Sequence, residues 1–127
     1  MSYTVLIVDD SKLARMSVAR ALSTLQPDWT RLEAANADDA LLVVKQSNVD
    51  LTLLDFNMPG RDGLELAAEL KALHPSMPVA VISANSQVEI VARAEAAGAT
   101  FLVKPLTEQA LDVFLQDAVR RLRSEVL

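Results

Sequence analysis

Short unbroken apolar runs alternate along this chain with longer stretches in which apolar residues recur every three or four positions. The runs are Thr4 to Val8, Val49 to Leu54, Pro78 to Ser83 and Thr100 to Val103, with Arg31 to Ala35 a weaker fifth. Continuous hydrophobicity, as opposed to strict alternation, suits parallel strands covered on both faces. The periodic stretches predict helices over Lys12 to Leu25, Ala37 to Gln46, Leu64 to Leu73, Val88 to Ala97 and Thr107 to Leu122. In the first, Leu13, Met16, Leu22 and Leu25 form one stripe with Ala21 beside it. In the third, the stripe is Leu64, Ala67, Ala68 and Leu70 or Lys71. In the last, it is Ala110, Leu111, Phe114, Ala118 and Leu122. Asp10 or Ser11 can cap the first helix and Thr107 the last, while Gly98 stands where the fourth should stop.

The order is therefore (βα)5. Strand and helix alternating through short links imply a parallel sheet with helices on both faces, an α/β doubly wound architecture. Right-handed crossovers leave few topologies, and a weak second strand fits the edge of the flavodoxin-like order 2-1-3-4-5. Length agrees with one domain over residues 1–127, since 127 residues with 51% hydrophobic content can enclose a core. Net charge is -5, which argues against a surface devoted to nucleic acid. The one basic run, Arg120, Arg121 and Arg123, falls in the final turns of a helix, where cations suit the dipole. With no cysteine, thiolate chemistry is excluded. The start "MSYTVLIVDD" has no basic region and too short an apolar run for a signal peptide or membrane insertion, so a cytoplasmic location is expected.

In such sheets ligands bind outside the carboxyl ends of the strands, where the strand order reverses. Strand 1 delivers Asp9 and Asp10 there, strand 3 delivers Asp55, strand 4 Ser83 and Ala84, and strand 5 Lys104 and Pro105. Three carboxylates held close repel one another, and a hard cation with oxygen ligands, Mg²⁺, relieves the repulsion. Lys104 supplies a second positive charge and Ser83 a hydroxyl. This is equipment for phosphoryl transfer, with Asp55 as the carboxylate able to form an acyl phosphate.

The stretches "VLIVDDS", "LLDFNMPGRDGLEL", "AVISA" and "GATFLVKP" together resemble the receiver domains of two-component response regulators, over essentially the whole chain. With nothing after the fifth helix, the chain looks like the single-domain, chemotaxis-type members. The resemblance implies that Asp55 accepts a phosphoryl group from a sensor histidine kinase or histidine phosphotransfer protein. It implies that Asp10 binds Mg²⁺ directly, that Asp9 helps through water, and that Asn57 contributes its backbone carbonyl. Lys104 would bridge to a phosphoryl oxygen and Ser83 would close onto it, with Phe101 rotating inward behind. Asn57 and Asn85 would tune the rate of self-dephosphorylation. The output would be a downstream protein, or a second copy, bound at the face made by helix 4, strand 5 and helix 5. The Lys104-Pro105 peptide is often cis in this family. Phe101 stands where tyrosine is frequent, so a switch here acts by packing alone, and Ala84 leaves room for access to the site.

Several residues have plainer readings. His74 reads as a surface residue, Trp29 as packing over the core edge, and Arg15 as lying beside a face the family uses for kinase docking. A competing function is a phosphohydrolase of the haloacid dehalogenase type. That chemistry wants a second aspartate two positions after the nucleophile, where this chain has Asn57, and a cap domain for which there is little space. A receiver that no longer accepts phosphate is a third reading, set against the intact Asp9, Asp10, Asp55 and Lys104. The expectation is a switch whose only catalysis is its own phosphorylation and dephosphorylation.

Overall fold

A computed structural model describes residues 2–60 and 62–126. Ten elements alternate without exception: β1 (Thr4–Val8), α1 (Lys12–Leu25), β2 (Thr30–Ala34), α2 (Ala37–Gln46), β3 (Leu51–Asp55), α3 (Gly63–Leu73), β4 (Val79–Ser83), α4 (Val88–Ala96), β5 (Thr100–Val103) and α5 (Glu108–Val126). The five strands form one parallel sheet in the order β2-β1-β3-β4-β5. This is the flavodoxin-like topology expected from the apolar runs.

Burial explains the pattern. Every residue of β3 and β4 is buried, because both strands lie inside the sheet with helices above and below. β2 buries only Ala34, as an edge strand can. The core has two layers. On one face Leu6, Val8, Leu54 and Val81 meet Leu66, Leu70 and Ile90 from α3 and α4. On the other, Val5, Ile7, Leu53 and Ile82 meet Leu22 of α1 and Leu111, Phe114 and Leu115 of α5. Trp29 belongs to this second layer, buried and edge-on to Tyr3 at 5.2 Å, more deeply placed than a residue merely covering the core edge.

Helix starts follow their side chains. Ser11 caps α1 by accepting from the Ala14 amide, which decides between it and Asp10. Asn36 caps α2 and Thr107 caps the start of α5 in the same way. Asp62 caps α3 by accepting from the Glu65 amide, three residues on. α4 ends at Ala96 with Ala97 as its C-cap, and Gly98 stands just beyond at φ +78°, the left-handed position that favours glycine.

The predicted stripe of α1 needs correction. Leu13 is 77% exposed and Met16 46%, so the buried face of α1 is Leu22, supported by Val18, Ala19, Ala21 and Leu25. Leu13 and Leu22 stand about two and a half turns apart at about 3.6 residues per turn, so they lie on opposite sides of the helix, and the partly buried Ala14 and Val18 continue the face of Leu22. Ala68 in α3 is likewise exposed, and Leu66 takes its place in the core. His74 is exposed at the end of α3, as expected. Among the described residues no helix is long and apolar enough to cross a membrane.

Candidate functional site

The sheet order reverses between β1 and β3, whose neighbours diverge from there. The register pairs Val8 with Leu54, so the next residues on each strand, Asp9 and Asp55, emerge side by side. Asp55 is paired in turn with Ile82, which brings Ser83 to the adjoining strand end. Ser83 is paired with Val103, and the Lys104 amide donates to the Ser83 carbonyl at 3.0 Å. The sequence-predicted residues therefore share one edge because the register of four strands aligns them.

One carboxylate oxygen from each of Asp9, Asp10 and Asp55 can be drawn into a group spanning no more than 4.8 Å. Asp9 and Asp55 are buried and Asp10 is exposed. Lys104 Nζ stands 2.7 Å from Asp55 Oδ1. That contact is an ion pair by distance, and among the described residues Asp55 Oδ1 has no hydrogen-bond partner. Burial pushes the Asp9 carboxyl above its ordinary pKa, the Ser11 amide opposes this, and the charges of Asp55 and Asp10 add to the rise while Lys104 resists it. A buried, underbonded oxygen inside a ring of carboxylates fits a hard divalent cation with oxygen ligands. The donor set contains no nitrogen or sulfur, which favours Mg²⁺ over zinc-type ions.

Asp9 itself is fixed on every side. Its amide donates to the Ala34 carbonyl at 3.1 Å, its Oδ1 accepts from the Ser11 amide at 2.9 Å, and its carbonyl accepts from Arg15 Nη1 at 2.6 Å. Ser83 is fully buried, and its Oγ accepts from the Asn85 amide at 3.0 Å, leaving the hydroxyl proton to donate elsewhere. Asn57 and Asn85 are exposed on the loops after β3 and β4. Phe101 is half-buried, its ring against the α2–α3–α4 layer, and the Lys104-Pro105 peptide is cis. An open cleft of about 510 Å³ takes Asp9 and Lys104 into its lining, together with Val18, Ala84 and Leu106.

Two participants were not read from the sequence in these roles. Gly63 opens α3 so close to β3 that a Cβ there would lie 2.5 Å from the Asp55 carbonyl oxygen. Asp62-Gly63-Leu64-Glu65 has the spacing of a helix-capping box, which marks where α3 starts but not how closely it approaches β3. Arg15, read only as lying beside a docking face, reaches back to the end of β1 and across to Glu33 of β2, contacts with no sequence signature.

A parallel α/β sheet with an acidic cluster and a lysine at its switch point is chemically suited to holding a metal ion and phosphoryl oxygens. Comparison with known proteins narrows this further. The sequence model described as "Response regulator receiver domain" matches residues 5–116. The chain is 34% identical over 118 residues to "Transcriptional regulatory protein MalR" of Bacillus subtilis, covering 92% of this chain and 50% of that protein. It is 35% identical over 120 residues to "Transcriptional regulatory protein PdtaR" of Mycobacterium tuberculosis, covering 94% and 58%. The chain thus spans about half the length of these relatives. Among solved structures, the Vibrio cholerae chemotaxis protein CheY4 superposes with a TM-score of 0.83 at 27% identity, covering 93% of this chain and 99% of that one. A CheY-like receiver domain from Methanospirillum hungatei shares the fold, with a TM-score of 0.89 at 23% identity over 98% and 99% of the two chains. The chain belongs to the response regulator receiver domain family of two-component systems, a family of signalling domains.

Proposed function

We propose that residues 1–127 act as a cytoplasmic receiver domain in which Asp55 accepts a phosphoryl group from a phosphohistidine on a sensor kinase or phosphotransfer protein. The observation that carries this reading is the joint placement of Asp9, Asp10 and Asp55 within 4.8 Å and of Lys104 Nζ at 2.7 Å from Asp55 Oδ1. An Asp55 carboxylate oxygen bonds to phosphorus as the phosphorus–nitrogen bond of the donor breaks, and the imidazole leaves with the electron pair and takes up a proton. Mg²⁺, when bound, supplies charge neutralisation for the phosphoryl oxygens. Asp10 and Asp55 would hold it directly, Asp9 through water, and Asn57 through its carbonyl. Lys104 moves with the incoming oxygens and holds one of them, and the buried Ser83 hydroxyl donates to another. The site needs to position and neutralise, which these groups can do without a further catalytic base.

Output fits the face of α4, β5 and α5. Val88, Val103 and Val113 are 83%, 51% and 65% exposed on these three elements, apolar side chains that a partner protein or second copy could cover. Asn57, two residues after Asp55, carries no acid to protonate a leaving group, which disfavours the phosphohydrolase reading. The direct test is mass spectrometry after incubation with acetyl phosphate and Mg²⁺. One added phosphoryl group is expected, and none in Asp55→Asn. Equal uptake by the variant would end the assignment.

Lifetime gives a second expected outcome. Neither Asn57 nor Asn85 can serve as a general base, but each amide can orient an attacking water. Asn57→Ala and Asn85→Ala are expected to change the decay rate of the phosphorylated form by less than about a hundredfold, the lower edge of what a positioned base supplies. The check is the decay of the phosphorylated mass over time. Identical decay in the parent and both variants would remove these residues from the site.

A further inference from the structure

We infer that Arg15 is a positioning residue for the metal site: it clamps the end of β1 so that the Asp9 and Asp10 carboxylates are presented to Mg²⁺. This inference rests on the reading of the carboxylate cluster as a Mg²⁺-dependent phosphoryl acceptor. The geometry is a two-pronged bridge. Nη1 of Arg15 donates to the Asp9 carbonyl at 2.6 Å, and Nε donates to Glu33 Oε1 at 2.8 Å. The Arg15 side chain is only 15% exposed, whereas Glu33 is 45% exposed. One planar guanidinium thus joins α1, the carboxyl end of β1 and the edge strand β2.

The site of attachment matters. Asp9 is the hinge between a rigid strand and the loop that carries Asp10. β1 ends at Val8, and α1 begins only at Lys12. The two main-chain groups of Asp9 are its attachment points, the amide to the sheet through Ala34 and the carbonyl to Arg15. Without Arg15 that carbonyl would turn toward water, and the peptide leading to Asp10 would be free to rotate. Both carboxylates hang from that peptide. Glu33 completes the device by orienting the guanidinium and by balancing its charge, so that an arginine can stand beside the acidic cluster without displacing a cation from it. Lysine cannot reproduce this, because a single ammonium lacks the fixed fork that serves two acceptors at once.

The electrostatic expectation has the opposite sign, which makes the inference decidable. Removing a cation near the metal site should, by relief of Coulomb repulsion alone, tighten Mg²⁺ binding. Loss of a clamp should weaken it. We therefore expect Arg15→Gln to bind Mg²⁺ about tenfold more weakly, the low end of what is lost when a group that orients metal ligands is removed. The probe is Mg²⁺ alone, titrated by calorimetry or amide chemical shifts at a temperature where parent and variant are both folded. Hydrogen exchange at the Ser11 amide, which is bonded to Asp9 Oδ1, should speed up in parallel. Unchanged or tighter Mg²⁺ binding overturns the inference. If Arg15→Gln does not fold, Arg15→Lys decides: it keeps the charge and is expected to bind Mg²⁺ more weakly than the parent, and parity with the parent overturns the clamp. No phosphoryl donor is present in these titrations. Failure of the phosphoryl-acceptor reading would appear separately, as absence of phosphoryl uptake by the parent chain.

Discussion

Gly63→Ala is expected to be the most destabilising single-methyl substitution near the site, costing about 3 kcal/mol, the upper end of the range for overpacking. A Cβ at this position would stand 2.5 Å from the Asp55 carbonyl oxygen, 2.7 Å from Leu54 Cδ1 and 2.8 Å from Phe56 Cα. Two of those three atoms are backbone and cannot swing aside. They belong to the end of β3, where all five residues are buried and both neighbouring strands are paired. The Gly63 amide also donates to the Phe56 carbonyl at 2.8 Å, so α3 cannot retreat without losing that bond. Gly60 provides the control. It has φ +86° but open space where a side-chain carbon would stand, so Gly60→Ala should cost only the left-handed strain, about 1–2 kcal/mol. Thermal or denaturant midpoints decide the matter. A fall of roughly 10 °C is expected for Gly63→Ala, and a loss no greater than that of Gly60→Ala would refute the close-packing argument. Because the displaced atoms carry Asp55, phosphoryl uptake should fall along with stability.

The contrast between Gly63 and Asp55 shows what could be read in advance. Asp55 was legible because a carboxylate at the end of a buried strand conflicts with the apolar run before it, and its companions on strands 1, 4 and 5 end the same way. Parallel topology then brings these ends together with no further information. Strand boundaries were legible to within two residues. Pro78 lies outside β4, consistent with its lack of an amide to donate, although its carbonyl still accepts from the Thr52 amide. β3 starts at Leu51, two residues after the apolar run begins; just before it, the Thr4 amide donates to the Asp50 carboxylate, where a ladder bond would need a main-chain carbonyl. Gly63 and Arg15 were not legible in their roles because each depends on how close two elements approach, α3 to β3 in one case and α1 to β1 and β2 in the other. Hydrophobic periodicity fixes which side of a helix is apolar, but not where along its length the sheet ends. Leu13 and Met16 on α1 are exposed for a simpler reason, since they lie about a third to a half of a turn around the helix from Leu22.

Loading Asp55 with beryllofluoride, a mimic of the acyl phosphate, is expected to alter the α4–β5–α5 face in the parent chain and to leave it nearly unchanged in Lys104→Met. A phosphoryl group brings a charge of about −1.5 to −2 and several strong acceptor oxygens to the end of β3. Lys104 already sits on the buried Asp55 Oδ1 at 2.7 Å, so phosphoryl oxygens carrying more charge are expected to draw it away. Its main chain is tied to β4, since the Lys104 amide donates to the Ser83 carbonyl and Val103 is paired with Ser83. Movement of Lys104 and of the Ser83 hydroxyl therefore reaches β5 together. Phe101, two residues before Val103 and paired with Val81, is half-buried, so part of its ring is still to be covered if it packs further inward. A charge event at one strand end thus becomes a packing event on the next helix layer, a two-state arrangement that a partner can bias. Removing the ammonium deletes one charge-assisted contact, about 1.5–3 kcal/mol and so roughly ten- to a hundredfold in mimic affinity. The measurement is amide and aromatic chemical shifts of α4, β5 and α5 with Asp55 fully occupied, reached for the variant by raising the mimic concentration. Full-sized shifts in loaded Lys104→Met would show that the signal leaves the site by another route, through Ser83 and the β4–α4 loop alone.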